Sequence, residues 1–447
     1  GRGPSAEPSS HATHVAGTIA AAGVNPAALG MAPAAQIASY NYNRDLGEVA
    51  RRAMSDPNEA DMIQVSNHSY GYACGWDYTS TVPRWYGEYG DRQSALFGQY
   101  DQESQSWDQI CYEAPYYLSL RAAGNDRGDQ APSDGTQYEY YQGRRGWISK
   151  RYDSDTDPGD DGADGGYDST PPDGTAKNVM TVGAVQAAVS GAVRDVNAAA
   201  MTSFSSWGPT DDGRVKPDAV ACGVRLLSCS AEGDDQYDTY SGTSMAVASA
   251  TGGAALLLDL HQALFPGQVM RSATLKGLLL HTADDLGNPG PDYQFGWGLL
   301  NIRAAAALLL EQAGDAGTYR VVEDVLDAQA PERAYALFIG QGQGALATLC
   351  WTDPPATVSE DPDSSAPCLV NDLDLRIMDP QGSRHLPYVL DRTRPAEPAV
   401  PGDNTLDNVE QVRLPGPLTG GWITVSVSHK GVLRDGEQAF SLLVSVL

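Results

Sequence analysis

The chain has 447 residues, 41% of them apolar, and a formal net charge of −28. That length allows two or three domains with sizeable cores, and so acidic a balance excludes nucleic-acid binding through phosphates, which needs a basic face. The longest apolar runs, around 244–258 and 304–310, are short or broken by Gly, Ser and Thr, below the roughly 18–20 residues that cross a bilayer, and no membrane partner is expected.

The first residues carry neither Met nor a signal-peptide pattern, which reads as a processed chain or a fragment. The stretch "HATHVAGTIAAAG" predicts a helix headed by His11, and "DMIQVSNHSYG" a strand over 61–71. Segments 72–118 and 127–175 are rich in Tyr, Trp and acids and poor in aliphatics, which predicts long surface loops. "NVMTVGAV" and "AVACGVRLLSC" read as strands, whereas "TSMAVASATGGAALLLDLHQALF" and "SATLKGLLLHTA" read as helices. The alternation predicts a doubly wound α/β fold, a parallel sheet covered by helices on both faces. From about Tyr319 onward six strand-like segments, from "RAYALFIG" to "AFSLLVSV", are separated by turn residues. They predict a separate β-sandwich, with the division at 1–316 and 317–447.

Six cysteines fall into the local pairs Cys74/Cys111, Cys222/Cys229 and Cys350/Cys368, none spaced as C-x-x-C. Zinc and thioredoxin-like chemistry are disfavoured, and three disulfides in a secreted protein are expected, with six buried free thiols as the alternative.

Three stretches carry chemistry together: "HATHVAGT" at 11–18, "LRAAGND" at 120–126 and "YSGTSMAVASATGG" at 240–253. Ser244 opens a small-residue helix whose dipole favours developing negative charge. Asn125 ends a strand and offers a side-chain amide to an oxyanion, and His11 supplies a base. These are the parts of an acyl-transfer site. His14 reads as structural.

At these residues the sequence resembles the subtilisin-like serine proteases. The family's His-Gly-Thr-His-Val-Ala-Gly-Thr matches 11–18 except at Ala12, and its Ala-Ala-Gly-Asn matches 122–125. Its Gly-Thr-Ser-Met-Ala-Thr-Pro matches 242–246 and departs at Val247 and Ala248. "FSSWGPTDDGRVKPDAVACG" at 204–223 is similar to the segment that precedes the family's serine. The resemblance implies that His11 is the general base, Ser244 the nucleophile and Asn125 the oxyanion donor, joined by the Ser244 N–H. It implies that Ser69, Tyr70 and Gly71 pair with substrate backbone, and that Ala122, Ala123 and Gly124 form the opposite wall of the pocket. Asp126 behind that wall is expected to favour basic side chains mildly.

"LVNDLDLRI" and "DNVEQV" resemble the C-terminal jelly roll of a subgroup of large alkaline subtilisins, which holds calcium. That makes Asp372, Asp374, Asp407 and Asn408 candidates for ligands or for turn residues. Asp153, Asp155, Asp157, Asp161 and Asp164 form a second candidate for structural calcium, or a solvated acidic loop.

The family's triad acid precedes its histidine, but residues 1–10 hold only Glu7, and "NRDLG" at 43–47 lacks the family arrangement. Three readings stay open: an N-terminally truncated protease, an inactive binder, or Glu7 as the acid. The expectation is a secreted, monomeric serine endopeptidase acting on proteins or peptides, with no cofactor in the chemistry and structural calcium. The alternatives are an inactive peptide- or glycan-binding protein and a kexin-type processing protease.

Overall fold

The computed structural model describes residues 9–42, 45–55, 59, 62–88, 90–191, 193–314 and 321–447. Glu7 and the 316/317 division lie outside these. Four strands, Val65–His68, Leu118–Ala122, Met180–Val185 and Ala219–Cys222, form a parallel sheet in that order. Side chains alternate across it, as strand geometry requires. Leu118 and Leu120 join the aliphatic core with Met180 and Val182. Arg121 points the other way and lies over the Trp107 ring, 4.2 Å from its centroid.

The two faces are covered by different helices. Helix α4 (Thr243–Leu264) packs against all four strands on the aliphatic side, joined by α5 (Ser272–His281) and α6 (Ile302–Gly314). On the other side α3 (Gln102–Glu113) packs with α2 (Asp45–Ala53) through Trp107, Ile110, Val49 and Ala53. Asp101 caps α3 by accepting the N–H of Glu103 and of Ser104. The doubly wound α/β expectation holds. At 22 residues α4 is nevertheless long and apolar enough to cross a membrane by length and composition, which the sequence reading missed because Ser, Thr and Gly interrupt its apolar run. Those small residues serve close packing within the core.

The two aromatic segments are not simple loops. Trp76–Asp77, Arg84–Trp85, Gln137–Tyr141 and Trp147–Arg151 form a four-stranded sheet. Its core is aromatic, with Trp76 5.2 Å from Trp85 and 5.3 Å from Tyr138 between ring centroids. Large rings bury as much apolar area as the aliphatics whose scarcity suggested a loop. "AVACGVRLLSC" also divides, with Ala219–Cys222 in the parallel sheet and Leu226–Cys229 in an antiparallel hairpin with Tyr237–Tyr240.

All six segments read as strands beyond Tyr319 are strands. One antiparallel sheet runs Val321–Asp327, Glu437–Val446, Ala345–Cys350, Val409–Leu414. The other runs Glu332–Ile339, Gly421–His429, Leu373–Met378, Arg384–His385. Alternate residues of both meet in one core that includes Leu349, Trp351, Leu375, Val425 and Leu442. The first sheet rests on α5, so closely that a Cβ on Gly277 would lie 2.6 Å from Leu443 Cδ1. The six cysteines are free thiols, so none of the three expected disulfides is formed. Cys350 instead faces α5 across this seam, and Cys111 lies in the α2–α3 core.

His281 is sealed in the seam, its Nδ1 2.8 Å from Thr348 Oγ1 and its Nε2 2.7 Å from Ser445 Oγ. Burial holds its pKa down at about 4, from 6.5. The unfolded chain therefore binds a proton that the folded one refuses between those values. Stability from this group is full above about pH 6.5 and is lost as pH falls toward 4. Urea unfolding of the wild type and His281→Gln at pH 7 and pH 5 should show about 2 kcal/mol less acid-dependent loss in the variant.

Candidate active site

Ser9 caps helix α1 (Ser10–Ala20) by accepting the Ala12 N–H at 3.3 Å. The helix lies beside α4. Val15 packs on Met245 and Ala248, and a Cβ on Gly252 would meet Ile19 O at 3.2 Å. Contacts that advance together along both helices make them parallel, with their N-termini at one end. His11, one turn before Val15 on the same face, therefore stands at the end of α1 where Ser244 opens α4. His11 is exposed. Partial desolvation, then the neighbouring His14, keep its pKa below 6.5, so it is neutral and able to accept a proton near neutrality. None of the described carboxylates pairs with it. His14 is structural as read: buried, stacked on Tyr240 at 4.5 Å, with Nε2 2.9 Å from Leu226 O.

Ser244 is buried at the second position of α4. Its Oγ donates to Ser69 O at 3.3 Å, and Ser69 Oγ donates back to Ser244 O at 2.9 Å. The first amides of a helix have no intrahelical acceptor. Here Thr243 N–H goes to Asn125 Oδ1 at 2.9 Å, while the N–H groups of Met245 and Ala246 go to Gly242 O. Ser244 N–H has no partner among the described residues. Thr243 Oγ1 also donates to Asn125 Oδ1, at 3.1 Å. With its oxygen doubly engaged, Asn125 turns its NH2 group outward, again without a described partner. Asn125 itself is exposed. Asn125 thus sits against the first residue of α4, one position before Ser244; side-chain and helix-terminal amides of this kind are the groups that can stabilise an oxyanion.

Two backbone segments extend from this point. Ser69 is fixed to Ser244 as described. Tyr70 OH donates to Asp45 Oδ2 at 2.7 Å and lies 2.6 Å from His68 Nδ1. Asp45, in the segment that lacked the triad pattern, thus holds Tyr70 rather than His11. Opposite, Ala123 is buried and its N–H reaches Val182 O at 3.1 Å, while Gly124 takes φ +104°, a conformation that favours glycine. Gly71 and Gly124 face side chains of Asp173 and Asp126 respectively. Asp173 was not anticipated; in "TPPDGT" it carries only turn signals.

The sequence matches the subtilase family over residues 3–298. The chain belongs to the subtilase family. Among curated relatives, the serine protease AprX of Bacillus subtilis (strain 168) is 35% identical over 140 residues, 29% of each chain. An uncharacterised Aquifex aeolicus (strain VF5) protein is 37% identical over 107 residues, covering 22% of this chain and 48% of its own. The matches thus span under half of these relatives. The solved protease domain of PatA shares 20% identity, with a TM-score of 0.40, covering 68% of this chain and 82% of its own.

The structure sets Asn125 against the start of α4 and lays α1 alongside that helix, and the residues named as calcium candidates each have partners within the chain. Among the described residues no three His, Cys, Asp or Glu side chains are grouped to hold a metal. Asp157 bonds Lys150 and the Asp153 N–H; Asp153 Oδ1 accepts the Asp155 N–H. Asp161 accepts the Trp76 N–H, and Asp164 lies apart with Gln93. In the sandwich Lys430 Nζ is 3.1 Å from both Asp372 and Asp374, and Arg376 adds a contact of 2.5 Å to Asp374. Cations of the chain itself therefore pair with these two acids. Asp407 accepts the Val215 N–H, and Asn408 bonds Trp351 O and Asn178.

Replacing Asn125 by Leu should remove one oxyanion donor. Single-turnover kinetics should show kcat lowered by about 10²–10³, the size found for the corresponding donor in subtilisin, with KM little changed.

Proposed function

We propose that this protein is a secreted serine endopeptidase that cuts peptide bonds through an acyl-enzyme on Ser244. The observation that carries the proposal is the pair of donors at the start of α4 without a partner among the described residues, Asn125 Nδ2 and Ser244 N–H. In the proposed cycle His11 takes the Ser244 proton as Oγ attacks the scissile carbonyl. The carbonyl oxygen becomes negative between the two donors, and His11 returns the proton to the leaving amine. Water then repeats the sequence on the acyl-enzyme. Substrate adds as an extended strand along Ser69–Tyr70–Gly71, with the residue before the cut lying against Ala122–Gly124. The proposed cycle draws on the chain's own side chains and amides, with water as the second nucleophile.

The same proposal divides the chain into a catalytic domain over 1–316 and a jelly roll over 317–447. The protein works as a monomer outside the cell, where a charge of −28 favours solubility.

One observation favours a second reading, an inactive peptide-binding protein: no described carboxylate orients His11. Without an acid the base loses its fixed tautomer and orientation. Hydrolysis of fluorescein-labelled casein decides between them. The protease reading expects turnover that falls by about 10⁶ in Ser244→Ala, as in subtilisin. A folded wild type that binds casein peptides and leaves them intact would establish the binder.

A further inference from the structure

The strand Val65–His68 ends by turning a histidine into the interior, one residue before the segment that receives substrate in the protease reading. His68 is 2% exposed, and its ring lies edge-on to Trp107 at 4.7 Å between centroids. Both ring nitrogens are engaged. Nδ1 is 2.6 Å from Tyr70 OH, and Nε2 is 2.6 Å from Ser66 Oγ, which in turn bonds Tyr117 OH. Beyond Tyr70 the chain of contacts ends on Asp45. Its Oδ2 accepts the Tyr70 hydroxyl at 2.7 Å, and its Oδ1 accepts the Leu46 N–H at 2.8 Å.

Counting protons gives this chain one direction. Burial works to raise the Asp45 pKa, but hydrogen bonding with His68 and Tyr70 brings it below the ordinary value. Asp45 is therefore ionised near neutrality and only accepts. Burial holds the His68 pKa at about 4 against the pull of Asp45, 3.7 Å away, with the Arg121 guanidinium pushing the same way as burial. Its imidazole is neutral and carries one N–H. Tyr70 has a single proton, spent on Asp45, so its oxygen accepts from His68 Nδ1–H. Nε2 then accepts from Ser66, and Ser66 accepts from Tyr117. Every link is satisfied only in this order.

We propose that Asp45 and His68 are positioning residues for substrate: the directed chain holds Tyr70, and with it the Ser69–Gly71 backbone that receives the peptide beside Ser244. The inference rests on the protease reading and names what shapes that segment. Tyr70 is 37% exposed, and Tyr42 beside it, at 5.9 Å between ring centroids, is 65% exposed. Little covers the Tyr70 ring on the solvent side, so its hydroxyl is the anchor. Ser69, its chain neighbour, carries the carbonyl that accepts the Ser244 hydroxyl. A fully satisfied buried network of this kind selects one arrangement of the groups it joins.

Nitrogen-15 correlation spectra of histidine-labelled protein at pH 7 read the tautomer, with His68 assigned by its absence in His68→Gln. The wild type should carry the His68 proton on Nδ1. Asp45→Ala removes the last acceptor, so Tyr70 should turn its proton to Nδ1 and His68 should move its own to Nε2. Asp45→Asn keeps a side-chain oxygen there and should retain the Nδ1–H form. For a casein-derived peptide, KM should rise about tenfold in Asp45→Ala with kcat within about twofold, and Asp45→Asn should recover most of the loss. In a Ser244→Ala background the Kd of the fluorescein-labelled peptide should shift by the same factor, which reads the segment without turnover. Should near-UV circular dichroism show Asp45→Ala unfolded, Tyr70→Phe cuts the chain at its exposed end and should raise KM and Kd alike. A wild-type His68 protonated on Nε2, or on both nitrogens, overturns the proposal without any variant. So does a KM and Kd unmoved by these substitutions, or a loss confined to kcat, and each of these leaves a protease. A wild type that cuts neither the peptide nor casein overturns the protease reading instead, and the Kd comparison then decides the positioning role: no peptide binding, or equal binding with and without Asp45, ends it.

Discussion

Two hydrogen bonds into one amide oxygen, from Thr243 N–H and Thr243 Oγ1 to Asn125 Oδ1, join the end of a strand to the start of α4. Everything at the site depends on that junction. It fixes which end of the Asn125 amide faces outward, and it uses up the Thr243 N–H so that Ser244 N–H is the amide left over. The strand is held in turn by its neighbours in the sheet, and α4 by the core beneath it. Preorganised donors of this kind need no rearrangement as charge develops, which is why they account for much of an acyl-transfer rate.

The sandwich reaches the same core through buried charge. Lys177 Nζ is 2.9 Å from Asp108 of α3 and 3.5 Å from Asp353, which follows the Ala345–Cys350 strand. All three side chains are fully buried. Asn178 beside them bonds Asp353 and Asn408. Below the sheet Asp218 takes contacts from Lys216 at 2.6 Å and Lys276 at 2.8 Å. Such pairs add little net stability over apolar packing, but losing one member leaves a charge stranded, at about 3–5 kcal/mol. Of these, the Lys177–Asp353 pair joins the sandwich to the subtilase core, whereas Lys216, Asp218 and Lys276 pair within that core. Three of the chain's five lysines lie in these buried pairs.

Much of this was legible in the residues. Small-residue helices, β-branched strands and the three motif stretches place His11, Asn125 and Ser244 on the edges where the fold brings them. What stayed hidden was whatever depended on contact between distant segments. Trp76, Trp85 and Tyr138 make a sheet only because they stack on one another. The acids at 372 and 374 resemble a calcium site until Lys430, more than fifty residues on, comes to rest between them. Asp173 looks like a turn residue until Arg121, from a strand more than fifty residues earlier, pairs with it in the interior. Spacing along a chain reports periodic burial well and reports long-range charge neutralisation poorly.

The nucleophilic state of Ser244 is the claim on which the rest stands, and a fluorophosphonate probe reads it without choosing a substrate. Peptide mass mapping of the treated protein should place one phosphonyl group on Ser244, and labelling should slow by orders of magnitude in His11→Ala, since the base is needed to draw the proton from Oγ. A natively folded protein that takes up no probe at Ser244, or that labels equally fast without His11, would contradict the account.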